Sequence, residues 1–472
     1  MEIMASVNMM PSFEDLIALR GASTLDDAMV SFYGNDPVVQ SRFKVGEVSS
    51  AAMVANAVAA NDIWQLRNNG GVPQKIRIDK KAAAASLRSY AHLEIEGKPP
   101  LATGWTEPTV SYYRCRDGRF LHLQGTFPHQ RDQTLKFLAC NNSIEEIAAK
   151  IILRDSFDWE EDLAKERLCG AVIRSREEWL IHPQGRAMRD VPIVEVIKVA
   201  DGEPEPLSPA RRPLSGVRVL DLTRVLAGPI GTRTLAAHGA DVLHVRREGL
   251  AMIELFAADT NHGKLSTFLD LKLDTDANCL RSLAKDGDIF VQGYRTGVMN
   301  RLGFGLEDLL SLRRNIIYVS LNCYGHTGPW VNRPGWEHLA QSVSGLATEN
   351  GHPGDPKLIP AALCDNVTGY LASYGAMLAL KRRMVEGGSY HVRVSLCRTA
   401  MWISSQQLCS NESVLGVNAP SVEDIEVQDY RMITETPFGR MHHLNPIVQM
   451  SETPLAWERP TVPLGTHEPK WP

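Results

Sequence analysis

The 472-residue sequence predicts an α/β fold: an open parallel sheet with flanking helices in a large domain, joined to a smaller α+β domain. Three observations carry this. The runs GVRVLDL (216–222), GADVLHV (239–245), DIFVQ (288–292), IIYVSL (316–321) and VRVSL (392–396) are continuously aliphatic, as strands buried on both faces require. Helical stretches lie between them, including Ile230 to His238, Glu307 to Arg313 and Gly369 to Arg383, giving the alternation of a parallel sheet. The segment GEPEPLSPARRP (202–213) is rich in proline, which removes backbone donors, and it reads as a linker between two parts.

Before the linker the pattern changes. Residues 110–125 (VSYYRCRDGRFLHLQG) read as a β-hairpin turned at Asp117-Gly118. Two helices begin with capping-box spacing, Ser143 with Glu146 and Ser175 with Glu178. A further helix is expected over 158–168, and VPIVEVIKV (191–199) as a strand or extended connector. The chain also repeats itself. Residues 52–82 can be laid on 369–399, placing Arg67 on Arg383, Gly71 on Gly387 and KIRID on HVRVS. Each copy reads as an apolar helix, a glycine turn and a strand.

Composition narrows the function. Hydrophobic residues at 44% and charged residues at 22% match a globular chain and exclude a disordered or collagen-like one. A formal net charge of −5 with no dense basic stripe argues against a nucleic-acid partner. Eight scattered cysteines, with no CxxC pair, read as reduced and mostly buried thiols. No apolar run is long enough to span a membrane and no leader pattern opens the chain, so the expectation is a cytoplasmic protein.

Six segments resemble, in order, the family III CoA-transferases, the CaiB/BaiF group that includes formyl-CoA transferase and the α-methylacyl-CoA racemases. They are LSGVRVLDLTRVLAGP (214–229), LAAHGADVLHVRR (235–247), NHGKLSTFLDLK (261–272), GDIFVQGYRTGVMNRLGFGLEDL (287–309), IIYVSLNCYGHTGP (316–329) and IPAALCDNVTGYLASYGAMLALKRR (359–383). PLGTHE (463–468) is similar to the family's closing tail, and YRCRDGRFLHL (113–123) with SREEW (175–179) to its small domain. The small domain here precedes the catalytic half, so the resemblance implies a rearranged order. On this reading a truncated large-domain repeat (1–100) leads into the small α+β domain (101–201) and the linker (202–213). A Rossmann-like catalytic, CoA-binding domain (214–410) and a tail returning to the large domain (411–472) complete the chain.

The resemblance implies that Asp365, in ALCDNVTG, is the nucleophile: its carboxylate attacks an acyl thioester, forms a mixed anhydride and releases CoA thiolate. Taken alone, an Asp at a helix start more often only caps it. The tetrahedral intermediates need donors, expected from backbone N–H groups. CoA is then a substrate with no tightly bound cofactor, and its contacts are implied at Leu226, Ala227, Arg247, Asn261 to Lys264, Gly293, Tyr294, Arg295, Arg301, and Leu321, Asn322, Cys323 and Tyr324. Arg247 and Lys264 are cations suited to phosphates. The partners are an acyl-CoA and a carboxylic acid, and members of the family are interlocked homodimers. The turn AGPIG lacks the third glycine of a nicotinamide-dinucleotide loop. No metal site is expected.

Two departures separate the chain from formate and oxalate enzymes: Asn322 replaces a lysine frequent in the transferases, and the glycine-rich loop is missing. The racemase alternative, an isomerase acting at the α carbon, needs a His that is Trp336 here, with His338 two residues on. A non-catalytic CoA-binding member is the third reading. Ser49 stands at the repeat position of Asp365, so the first copy is expected to be silent. His442-His443 reads as surface loop, Cys364 as a small buried residue and 158–166 as the solvated face of a helix.

Overall fold

The computed structural model describes residues 10–21, 29–70, 72, 74–98 and 107–472. The five aliphatic runs are joined by Lys264–Phe268, which was not expected as a strand, and by Glu195–Ala200 in one seven-stranded sheet, in the spatial order Lys264–Phe268, Asp241–Arg246, Arg218–Leu222, Ile289–Gln292, Ile317–Asn322, Ser389–Ser395, Glu195–Ala200. The first six are mutually parallel. The seventh is antiparallel, so the sheet is mixed rather than purely parallel. That edge strand comes from the segment read as a strand or connector, and it ties the region before the linker into the large sheet. Strand Arg218–Leu222 sits in the middle: the chain winds outward on one side through 241–246 and 264–268, then crosses over to 289–292 on the other. This reversal leaves a crevice at the carboxyl ends of 218–222 and 289–292, the place where open α/β sheets bind ligands.

The smaller α+β unit follows its expected hairpin. Val110–Arg114 pairs with Phe120–Gln124, which pairs with Gly170–Val172, all antiparallel. The box at Ser175 is complete, with the Glu178 carboxylate accepting Ser175 N–H at 2.8 Å. At Ser143 only half forms, because Glu146 accepts instead from the backbone and side chain of Asn141. The helix Ser156–Lys165 is not wholly solvated: Glu160 is buried and clasps Arg174 through both guanidinium nitrogens.

Two long helices form the spine. Val45–Arg67 and Leu363–Glu386 pack against one another, and each is buried along nearly its whole length, so neither shows a polar stripe. The second also lies on Ala227–Ala237, where a Cβ on Gly369 would come within 2.4 Å of the Ala227 carbonyl oxygen. Only glycine lets these helices approach so closely, and Asp365 lies one turn before that crossing.

The repeat is legible in three dimensions. Val30–Tyr33 is parallel to Ile76–Asp79, with a long helix between them and Lys80–Ala85 after, and Gln449–Met450 is antiparallel to the second strand. Ile317–Asn322, Leu363–Glu386, Ser389–Ser395, Leu396–Ser405 and Glu195–Ala200 repeat that arrangement. Arg67 donates to the carbonyls of Ser208, Arg212, Pro213 and Ser215, anchoring the linker, while Arg383 pairs with Asp288 at 2.8 Å. Gly71 and the 100/101 boundary lie outside the described residues.

The tail runs back over the molecule: Arg431–Thr436 and Gly439–Leu444 form a sheet with Glu94–Ile95, and the His467 amide donates to the Ser266 carbonyl. His442-His443 therefore lies in a strand, not a surface loop, because its apolar neighbours Met441 and Leu444 pack inward; His443 is buried and stacks on His262 at 4.1 Å. All eight cysteines are free, and no helix among the described residues is long and apolar enough to cross a membrane.

Candidate active site

Two cavities meet at Asp365. The larger, about 520 Å³, fills the crevice at the strand reversal. The loop after Arg218–Leu222 (222–228), Gly293 to Arg295 after Ile289–Gln292, and Leu321 to Cys323 at the end of Ile317–Asn322 line it. The smaller, about 430 Å³, lies on the far side of Asp365, against Arg88, Tyr90, Tyr112, His122 and His338. Five residues border both: Val225, Leu226, Trp336, Glu337 and Asp365.

Asp365 is the third residue of Leu363–Glu386, whose cap is Ala362 with no side-chain bond, so Asp365 does not serve as the N-cap. The cap comes from another helix. Glu337, in Glu337–Val343, accepts from the amides of Cys364 (3.2 Å) and Asp365 (2.7 Å) and from Gln341 Nε2 (2.7 Å). Every oxygen of Glu337 is thus engaged, whereas among the described residues none donates to the Asp365 carboxylate. Burial, and then the negative charge of Glu337, push the Asp365 carboxyl well above the ordinary range. Burial raises Glu337 to about 7 despite the bonds it accepts. The two carboxyls titrate as a pair. The helix N-terminus beside them favours negative charge and offsets part of the burial cost.

The loop between the first strand and Ala227–Ala237 forms the floor. Val225 has φ +73°, a left-handed conformation that a β-branched side chain rarely adopts. Such outliers persist only where the surroundings over-determine them. Here those surroundings are a buried knot. Asp221 accepts from Lys264 Nζ (3.0 Å) and from the hydroxyls of Thr223 and Thr232, both at 2.5 Å, and Lys264 also donates to the Pro229 carbonyl (2.9 Å). Burial pushes the Asp221 carboxyl up, but Lys264, His244 and the two threonines outweigh it and hold Asp221 ionised, well below the usual range. Burial in turn lowers the Lys264 ammonium.

The expected CoA contacts divide accordingly. Leu226, Ala227, Gly293, Tyr294, Arg295, Leu321, Asn322 and Cys323 are brought together on the larger cavity. Arg247 borders a third cavity of about 210 Å³ that shares Leu222 and Tyr294 with the larger one. Lys264 is fully buried on Asp221, with no face toward a phosphate. Asn261 is buried on His244 at 3.1 Å. Tyr324 is buried edge-on against Trp330, and Arg301 is exposed outside the three cavities. Asn322 spends its amide on its own turn, donating to the Gly325 carbonyl and accepting its N–H. Cys364 is buried. Among the described residues no cluster of three metal-ligating side chains occurs.

Sequence reasoning missed Glu337, Val225, Arg224 and Arg246. The two arginines reach the carbonyls of Ala251 and Leu250, each keeps a buried Nε without a partner, and among the described residues neither pairs with a carboxylate. Together with the exposed Arg247 they form a positive cluster beside Tyr294. Nothing local in the sequence marks them, since Arg224 and Arg246 lie at the ends of different strands.

Residues 214–431 match the family model of CoA-transferase family III. The chain is 32% identical over 426 residues to an acetyl-coenzyme A transferase, nodX, of Hypoxylon pulicicidum, covering 79% of this chain and 71% of that protein. It is 34% identical over 222 residues to the succinyl-CoA:glutarate CoA-transferase of Mus musculus, covering 44% of this chain and 49% of that one. A crystal structure of Rv3272 from Mycobacterium tuberculosis aligns with a TM-score of 0.40 and 32% identity, over 41% of this chain and 56% of that chain. The family model falls on the half that holds Asp365 and most of the larger cavity's lining, and the Hypoxylon relative extends the likeness across most of the chain: this protein belongs to CoA-transferase family III.

Proposed function

We propose that the protein moves CoA from an acyl-CoA donor to a carboxylic acid acceptor through covalent intermediates on Asp365. One observation carries the reading: Asp365 borders both cavities with its carboxylate unbonded, while Glu337 beside it is fully engaged. An Asp365 oxygen attacks the thioester carbonyl, the C–S bond breaks, and CoA leaves as thiolate. The thiolate attacks the aspartyl side of the anhydride, giving an aspartyl-CoA thioester and releasing the donor acid. The acceptor carboxylate then attacks that thioester, thiolate leaves again, and its attack on the acceptor carbonyl yields the new acyl-CoA and free Asp365. Each step exchanges one carboxylate or thiolate for another, so no net proton is needed. The oxyanions are assigned to the N–H groups of Ala227 and Gly228, which open Ala227–Ala237 with no intrahelical partner. CoA is read along the larger cavity, with its phosphates toward Arg224, Arg246 and Arg247. Glu337 positions the nucleophile's helix and takes no covalent part.

Residues 1–100 read as a truncated copy of the catalytic half, kept because it closes the smaller cavity with Arg88 and Tyr90 from the same chain. The expected homodimer is tested by light scattering, where a monomer with full activity would show that one chain suffices.

The deciding experiment is trapping. The protein is incubated with a panel of acyl-CoAs and quenched with hydroxylamine, and the Asp365 peptide is examined by mass spectrometry. A modified Asp365, absent in Asp365→Ala, is the expected result. No adduct, with deuterium exchange at the acyl α carbon, would move the protein to the racemase reading. Neither signal, with CoA still bound, would leave a non-catalytic member.

A further inference from the structure

The two cavities differ in charge, and the difference bears on the acceptor. The larger one carries Arg224 and Arg295, neither paired with a carboxylate among the described residues. Among the described residues Arg88 is the only Lys or Arg on the smaller one, and it is already committed. Its Nη1 donates to Glu423 at 2.6 Å and to Ser421 Oγ at 3.3 Å, and its Nε to the Tyr90 hydroxyl at 3.0 Å. Several other polar groups are engaged as well. Gln124 donates to Thr126 (2.6 Å) and pairs with His338 Nδ1 (2.9 Å), and His122 Nδ1 pairs with Ser342 (2.7 Å). Burial depresses both imidazoles, His338 to about 4, so neither is a cation at neutral pH. Besides Ser111 and Tyr112, what remains for a ligand is mostly apolar surface: Val110, Leu226, Ile253, Phe256, Trp336 and Leu358.

Resting on the transferase reading above, we propose that the smaller cavity is the acid chamber and that it selects bulky, largely apolar monocarboxylic acids over formate, oxalate and short dicarboxylates. At about 430 Å³ it holds on the order of a dozen water-sized groups of ~30 Å³ each, so formate would leave most of it unfilled. Charge decides against the dicarboxylates. One carboxylate is consumed at Asp365, and a second would be buried with no unpaired cation to meet it, a placement that costs far more than its contacts return. An apolar body gains from every wall it covers.

The test is calorimetric titration of the full wild-type chain, saturated with CoA and without any acyl donor so that nothing turns over. The probes are 4-phenylbutyrate, glutarate, oxalate and formate. The expected result is 4-phenylbutyrate binding about tenfold or more tighter than glutarate, with a negative heat-capacity change. Equal or tighter binding of glutarate or oxalate overturns the proposal. Leu358→Trp, which fills the chamber from a residue outside the larger cavity, is expected to weaken 4-phenylbutyrate about tenfold or more and to leave CoA affinity unchanged. Unchanged 4-phenylbutyrate affinity in that variant also overturns it. Supplying acetyl-CoA with the same acids separates this proposal from the function it rests on. Preferential glutaryl-CoA formation defeats the chamber and keeps the transferase. Tight 4-phenylbutyrate binding, with no acyl-CoA product or Asp365 adduct from any donor, does the reverse.

Discussion

The two long helices are built alike and end in different chemistry. Each has an arginine in its last turn, Arg67 and Arg383, that anchors a neighbouring segment. Each N-terminus is held by a carboxylate from outside the helix: the half-buried Asp36 accepts from the amides of Gly46 (2.9 Å) and Glu47 (2.7 Å), as the buried Glu337 accepts from Cys364 and Asp365. Burial raises both capping carboxyls. The helices even share a bond network, Asn56 donating to the Tyr370 carbonyl and accepting from Ser373. At the position of Asp365, however, the first helix has Ser49, fully buried and bonded back to the Val45 carbonyl at 2.7 Å. The helix start and its cap are a scaffold; a carboxylate becomes a candidate nucleophile only where cavities open beside it.

The most forceful way to break this comparison is to exchange the residues. Asp365→Asn is expected to lower kcat by about 10⁴-fold or more while the melting temperature stays near wild type. Ser49→Asp is expected to add no acyl adduct and to destabilise the fold by about 3 kcal/mol or more, since it buries an unpaired charge. An adduct on residue 49 in Asp365→Asn/Ser49→Asp would end the distinction.

Next in size are the helix ends. Arg383→Met leaves the buried Asp288 carboxylate with its guanidinium partner gone and Arg313 at 3.7 Å, and is expected to cost about 3–5 kcal/mol in chemical denaturation. Arg67→Met leaves only neutral carbonyls and should cost less, about 1–3 kcal/mol. The reverse ranking would mean that the first helix carries the fold.

The CoA side gives a smaller effect. Arg224→Ala and Arg246→Ala are each expected to weaken CoA by about tenfold, measured by titration, and to flatten its salt dependence. Variants of the first helix should leave both untouched.

The smallest effect separates the two caps. Asp365 must be ionised to attack, and the charge on Glu337 is the second reason its carboxyl is raised. Glu337→Gln is expected to move the acid limb of kcat/KM to lower pH by roughly a unit, and Asp36→Asn to leave that limb in place. Stability gives the same sign. Glu337 keeps its proton up to about 7 when folded but releases it near the ordinary 4.5 when unfolded. Wild-type stability therefore falls as pH rises across that window, and Glu337→Gln should make this slope shallower, leaving the part that the raised Asp365 carboxyl contributes. A Gln variant with an unmoved limb would reduce Glu337 to a purely structural cap.

Much of this was legible in one dimension because it depends on local pattern. The aliphatic runs could only be strands buried on both faces, Asp117-Gly118 could only turn a hairpin, and Ser175 with Glu178 closes its box within four residues. Asp365 was found through its flanking resemblance. Glu337 was not, because a glutamate opening a helix looks like an ordinary first-turn acid, and its partners stand 27 and 28 residues away. Lys264 misled for the opposite reason: a lysine reads as a surface cation until Asp221, from another strand, is seen beneath it. His443 misled likewise, since only the tail's return brings His262 to its face.

The amino-acid sequence by itself determined five strands of the large sheet, the hairpin, the long helix that follows Asp365, the family and the candidate nucleophile, since each rests on residue type and short-range spacing. The tertiary structure alone decided the strand order, the reversal that opens the larger cavity, and the freedom of Asp365 beside a fully bonded Glu337. It also decided that residues 88 and 90, from the N-terminal segment in which Ser49 stands opposite Asp365, would wall the smaller cavity. Those features depend on which distant segments touch, and contact across hundreds of residues is set by the packing of whole faces, which no local pattern records.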